Sequence, residues 1–216
     1  MPITPNTCGS NTNTVYDFGR DEADNHLWGE QQGYILSAAG GGHPLIHFGY
    51  GAREDMFDAH SYNKGGAVLH MLRKQVGDDA FFTALNRYLK RNEYTDVEAH
   101  ELRLAFEDVT GQDLNWFFNQ WFFGAGHPNL VISYDWDAAA KQTVLSVKQT
   151  QEAADGVAHV FNLPLSVDIY EASGKVRRER IHITKREQTF RFDAAAKPDF
   201  VNFDAEKSLL CVKDDR

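Results

Sequence analysis

Leu114-Asn115-Trp116-Phe117-Phe118-Asn119-Gln120-Trp121-Phe122-Phe123-Gly124-Ala125-Gly126-His127-Pro128-Asn129-Leu130-Val131-Ile132-Ser133-Tyr134 changes its hydrophobic period in the middle. Leu114, Phe117, Phe118, Trp121 and Phe122 recur at the intervals of one helical face. Gly124 and Gly126 stop that helix. Beyond Pro128, Leu130, Ile132 and Tyr134 alternate with Val131, Ser133 and Asp135, the period of a strand. The stretch therefore places a boundary near Gly126–Pro128, with a helical half before it and a β half after it.

Upstream, the helical period persists. A first helix is expected over about 22–38, followed by the glycine-rich loop Gly40-Gly41-Gly42 and His43-Pro44. Val68, Met71, Leu72 and Val76 form the stripe of a second helix, and Phe81, Phe82, Leu85, Tyr88 and Leu89 that of a third. Asp78 and Asp79 favour the start of the third through the helix dipole. Thr95 stands at capping-box spacing from Glu98 and is expected to open a helix with Leu102, Ala105, Phe106 and Val109 inside, closed by Gly111. Downstream, strand-like runs recur at 143–148, 161–170, 176–184, 189–192 and 200–203, separated by turn signals such as Asp155-Gly156 and Ser173-Gly174. Six or seven short strands suit a small antiparallel β-sandwich. The expected fold is thus α+β by chain: a polar, disordered tail over 1–20, an all-helical subdomain over 21–127 and an immunoglobulin-like sandwich over 128–216.

Composition narrows the function classes. With 216 residues, 42% hydrophobic and 25% charged, the chain can bury a real core. Its formal net charge of -9 disfavours nucleic acid as a partner. No apolar run reaches the roughly 18 residues of a membrane span, so membrane insertion is not expected. Residues 1–14 contain neither a basic residue nor an apolar run, so no secretion signal is read there. Cys8 and Cys211 are too isolated for a disulfide framework or a cysteine zinc site, and are expected as free thiols.

The segment His60-Ser61-Tyr62-Asn63-Lys64-Gly65-Gly66-Ala67-Val68-Leu69 resembles a stretch of the aminopeptidase N and leukotriene hydrolase family of zinc metallopeptidases, the gluzincins. The likeness extends over about residues 50–135, through Ala105-Phe106-Glu107, Gly111-Gln112-Asp113-Leu114, Trp116 to Trp121 and Gly126-His127-Pro128. It implies an immunoglobulin-like sandwich directly after the helical subdomain, in agreement with the strand pattern. It also implies a role for Tyr62, which matches the tyrosine of the family's Tyr-x-Lys-Gly motif. In that family the phenol donates a hydrogen bond to the oxyanion of the tetrahedral intermediate. A phenol stays protonated near neutral pH, which suits a donor. The alternative reading of Tyr62 is an amphipathic tyrosine at a helix start with a hydrogen-bonded tip.

The family's zinc ligands are a His-Glu-x-x-His helix and a downstream glutamate, and the chain contains no His-Glu-x-x-His. Tyr16 to Ala23 resemble the end of the second zinc-ligand helix, so the zinc-binding half is expected to lie upstream of this sequence. No metal site is expected within the chain, and zinc belongs to the full-length family. His43 and His47 are separated by Pro44, and His26 with Glu30 makes a pair without a third ligand. His60 and His70 are expected to serve packing or hydrogen bonds. Arg53 to Asp58 read as a solvated acidic loop, and Lys175 to Arg180 as a solvated strand face.

The resulting expectation is a piece of a zinc aminopeptidase, carrying Tyr62 and inactive alone. The alternatives are one half of a split enzyme and a non-catalytic interaction module. Peptide substrate would be engaged only with the zinc half supplied. Self-association is expected through the helical half, where the helix of Phe117, Phe118, Trp121, Phe122 and Phe123 would leave an apolar face uncovered.

Overall fold

The computed structural model describes residues 19–39, 42–153 and 156–215. The tail with Cys8, the glycines 40 and 41, and Asp155 of one turn signal lie outside the described residues. The chain divides into two compact units, Met1–Gly126 and His127–Arg216.

Among the described residues the first unit holds five helices: α1 (Arg20–Ala38), α2 (Gly65–Val76), α3 (Asp78–Arg91), α4 (Ala99–Thr110) and α5 (Asn115–Trp121). A 3-10 turn at Arg53–Met56 and a π-helical turn at His60–Lys64 precede α2. Helix α2 is central. Gly65, Ala67, Val68, Leu69, His70, Met71 and Leu72 are all buried, so its first half is enclosed on every side. Helices α3 and α4 meet through Phe81 and Phe106, whose rings lie 5.4 Å apart at 60°. In α5, Phe117, Phe118 and Trp121 are buried, as are Leu114 before it and Phe122 after it. This corrects the expected uncovered face: the aromatic helix fills the core of its own unit. Phe118 and Phe122 stack at 4.3 Å, one turn apart.

Two further readings shift. The inner face of α3 is Phe81, Ala84 and Tyr88, while Phe82 and Leu89 are exposed. The Arg73 guanidinium lies over the Phe82 ring at 5.1 Å and covers part of its surface. Helix α4 begins after Glu98 rather than Thr95. Glu101 accepts from the Glu98 backbone N–H at 2.9 Å, whereas the Thr95 hydroxyl donates to the Asn92 carbonyl in the preceding turn. Gly111 closes α4 at φ 66°, the left-handed position that glycine takes without penalty.

Among the described residues the second unit holds seven strands: β1 (Asn129–Asp137), β2 (Gln142–Gln149), β3 (Leu163–Tyr170), β4 (Val176–Ile183), β5 (Glu187–Asp193), β6 (Phe200–Phe203) and β7 (Val212–Asp215). One sheet has the order β5-β2-β1-β7 and the other β4-β3-β6. All pairs are antiparallel except β1 with β7, which run parallel. The core is Leu130 and Ile132 of β1, Leu145 and Val147 of β2, Val167 and Ile169 of β3, and Ile181 and Ile183 of β4. The basic run on β4 is not one solvated face. Arg177, on the side of Ile181 and Ile183, is half-buried and pairs with Glu171 and Glu179, while the exposed Arg178 forks onto its cross-strand partner Asp168 at 2.7 and 2.8 Å. Cys211 is buried.

Candidate functional site

Tyr62 sits at the centre of the π-helical turn His60–Lys64. The turn is wide because the N–H groups of Lys64 and Gly65 reach back five residues, to the carbonyls of Ala59 and His60. His60 and Lys64 go inward and are buried, while Tyr62 remains 40% exposed.

Each neighbour of Tyr62 is tied down. Asn63 donates to Glu30 of α1 at 2.6 Å. Helix α1 comes this close because position 33 is glycine, where a Cβ would stand 3.2 Å from the Asn63 amide nitrogen. The Lys64 ammonium donates to the Gly124 carbonyl at 3.1 Å and lies 5.8 Å from the centre of the Tyr34 ring. Burial pulls the Lys64 pKa down from 10.5 to about 8. Ser61 donates its backbone N–H to Asp58 at 2.8 Å. The Tyr62 ring itself lies 6.2 Å from Phe57, which is exposed.

Asp58 also accepts from His43 Nε2 at 2.7 Å and from His60 Nδ1 at 3.2 Å. The imidazoles of His43 and His60 stack at 3.9 Å. Sequence reading missed this cluster, because it placed Asp58 in a solvated acidic loop and gave His43 no partner. The available signal was the Asp58-x-His60 spacing just before the Tyr-x-Lys-Gly motif. His60 does serve hydrogen bonding, as its position beside that motif suggested. Glu54 and Asp55 are surface groups, the first paired with Arg53 and the second accepting from the Gly51 and Ala52 N–H groups.

Residues 29–121 match the peptidase family M1 domain. The helical unit is thus similar to the M1 peptidase domain. Residues 126–204 match a domain of unknown function with an immunoglobulin-like fold, DUF3458. The chain is 26% identical over 161 residues to aminopeptidase N of Escherichia coli K12, covering 69% of this chain and 18% of that protein. It is 30% identical over 121 residues to tricorn protease-interacting factor F2 of Thermoplasma volcanium, covering 56% and 15%. Among solved structures, Legionella pneumophila aminopeptidase A in complex with aspartic acid superposes with a TM-score of 0.77 at 19% identity. That match covers 96% of this chain and 23% of the other, and it shows the shared fold. The chain thus spans about a sixth of the length of these two relatives.

M1 aminopeptidases are zinc enzymes. The donor atoms of His43, Asp58 and His60 lie within 4.8 Å of one another, close enough to form a set of metal ligands. They do not fit. His60 Nε2 accepts the His43 backbone N–H at 3.3 Å, which puts the imidazole proton on Nδ1, the atom that faces Asp58. A metal needs a bare lone pair there. His26 and Glu30 are 3.9 Å apart on α1, and Glu30 is engaged by Asn63. The His-Glu pair at His100-Glu101 carries Leu104 where a second histidine would stand, and Glu101 caps α4.

Proposed function

We propose that this chain is the tyrosine-bearing part of an M1 aminopeptidase, in which Tyr62 donates a hydrogen bond to the oxyanion formed at the scissile carbonyl. The observation that carries this reading is the exposure of Tyr62 on a turn whose other members are fixed. A donor aimed in advance at developing charge accelerates acyl transfer by roughly 10²–10³. That benefit exists only where an activated nucleophile is already positioned. The residues of this chain do not provide one, so peptide hydrolysis requires a segment bearing His-Glu-x-x-His.

The test is hydrolysis of aminoacyl-anilides by this chain, alone and mixed with a separately expressed His-Glu-x-x-His domain of an M1 relative. The chain alone is expected to be silent. The mixture is expected to turn over, and Tyr62→Phe to lower that rate by roughly 10²–10³. Turnover by the isolated chain, or a mixture indifferent to Tyr62→Phe, would reject the assignment.

A second reading, a non-catalytic interaction module, is favoured by the exposed aromatic rings of Phe48, Tyr50 and Phe57. The same mixture separates the two, because an interaction module binds without turnover.

A further inference from the structure

Asp58 is the hub of three segments. Its Oδ1 holds the Ser61 N–H at the start of the π-helical turn, and its Oδ2 receives both histidines. His43 enters from the loop before the 3-10 turn, and its other ring nitrogen, Nδ1, lies 2.7 Å from the Pro44 carbonyl oxygen. A carbonyl and a carboxylate can only accept. The geometry therefore calls for a hydrogen on each nitrogen of His43. His60 differs: with Nε2 accepting from the His43 backbone it holds one proton, on Nδ1, and is neutral.

These contacts surround Tyr62 in sequence and in space. His60 and Ser61 are fixed by Asp58, Asn63 by Glu30, and Lys64 by the Gly124 carbonyl. The Tyr62 N–H itself donates to the Asp58 carbonyl at 3.1 Å. Asp58 thus holds the turn through both its backbone and its side chain, and His43 holds Asp58. An oxyanion donor must be aimed to within about half an ångström, which a five-residue turn at the surface does not achieve unaided. Charge-assisted hydrogen bonds are the short, strong class suited to that task.

We propose that His43 and Asp58 are positioning residues for Tyr62, an imidazolium–carboxylate clamp, with neutral His60 stacked beneath, that fixes the direction of the phenol. The inference rests on the oxyanion role given to Tyr62 above. Neither His43 nor Asp58 touches substrate in this account. The groups facing His43 are Asp58, His60 and His47, whose ring stacks on it at 4.6 Å, and Lys64 acts on His60 from below. Burial and the charge of His43 lower the His60 pKa, consistent with its neutral form, and the hydrogen bonds to Asp58 hold that carboxyl below its usual range against its burial.

The clamp is tested on the whole chain by nitrogen-15 NMR of labelled histidines at pH 6.5, with hydrogen exchange read amide by amide. Wild-type His43 is expected to show two protonated nitrogens and His60 one, on Nδ1. Asp58→Asn is expected to remove the second His43 proton and shift the Tyr62 ring resonances. It should also speed exchange at Ser61, Tyr62 and Lys64 by about tenfold or more. Exchange at Ala105 and Phe106 of α4 should not change. His43→Gln, at a half-buried loop position, is the second variant and is expected to act in the same direction. A singly protonated wild-type His43, or unchanged exchange in the turn, overturns the clamp. Exchange that rises equally in α4 also overturns it, because the role would then be general stability. Tyr62→Phe leaves the clamp signals in place. An intact clamp in a mixture whose turnover ignores Tyr62→Phe rejects the catalytic reading alone.

Discussion

The Lys64 ammonium donates to the Gly124 carbonyl oxygen at 3.1 Å from a position with no solvent exposure. Gly124 follows α5 by three residues, so the lysine closes the end of the aromatic helix while its own backbone closes the turn of Tyr62. Among the described residues no carboxylate pairs with it.

The Lys64–Gly124 contact makes stability depend on pH in a set direction. The folded pKa is about 8, against 10.5 for an ordinary lysine. Between those values the unfolded chain binds a proton that the folded chain does not, so stability rises with pH across the window. The full span is worth about 3 kcal/mol. Burial pushes the Tyr34 pKa up, which opposes the trend above about pH 10, where an unfolded tyrosine ionises. Denaturant titrations between pH 8 and about 9.5 are therefore expected to show rising stability in the wild type and a flat profile in Lys64→Met. Equal slopes in the two proteins would place the ammonium in water.

Gly124 answers to a second constraint. A Cβ at this position would stand 2.5 Å from the Gln120 carbonyl oxygen and 3.2 Å from that of Asn119, both backbone atoms. Gly124→Ala must therefore move the chain at the Lys64 anchor. It is expected to destabilise by about 1–3 kcal/mol, in the range of an overpacked core site. It should also speed amide exchange around Lys64. A melting temperature within a degree of wild type would show that the segment accommodates the methyl group.

The two-part architecture was legible from one stretch, because glycine stops and a switch from helical to strand period are local signals. That Leu114, Phe117, Phe118, Trp121 and Phe122 share one helical face was legible for the same reason, but their burial within their own unit was not. Which rings of α3 turn inward was not, because Phe82 and Leu89 are as apolar as Phe81 and their exposure depends on what α4 covers. The motif around Tyr62 could be read in sequence, but the Asp58 cluster could not. His43 lies 15 residues from Asp58, and a contact across a loop leaves no periodic trace. The π-helical turn was equally hidden, since a single five-residue turn is too short to show a period of its own.

Metal binding provides a separate check on the hydrogen-bond assignment. With the His60 Nδ1 proton facing Asp58 and Glu30 held by Asn63, the purified chain is expected to retain no stoichiometric zinc after dialysis. Elemental analysis measures this directly. One zinc per chain that disappears in Asp58→Asn would show that the cluster binds metal after all, with the His60 proton displaced.

Self-association remains an expectation for the helical unit, but its location changes. The α5 rings are buried within the unit, whereas Phe48 is 82% exposed and Phe57, beside Tyr62, is 70% exposed. Tyr50 between them in sequence is also exposed. Rings of this size carry about 1.5–3 kcal/mol of burial free energy each, and a second copy of the chain offers the same apolar loop to cover them. A two-fold pairing is the simplest arrangement for one repeated surface. Light scattering across a dilution series is expected to show a dimer that dissociates at low concentration. Phe48→Ser combined with Phe57→Ser should shift that midpoint upward by about tenfold or more, since two lost ring contacts exceed the 1.4 kcal/mol of one decade. Substitution of Val176, exposed on β4 of the other unit, should leave it unchanged. A strict monomer at high concentration, or a dimer indifferent to both phenylalanines, would remove this loop as the contact.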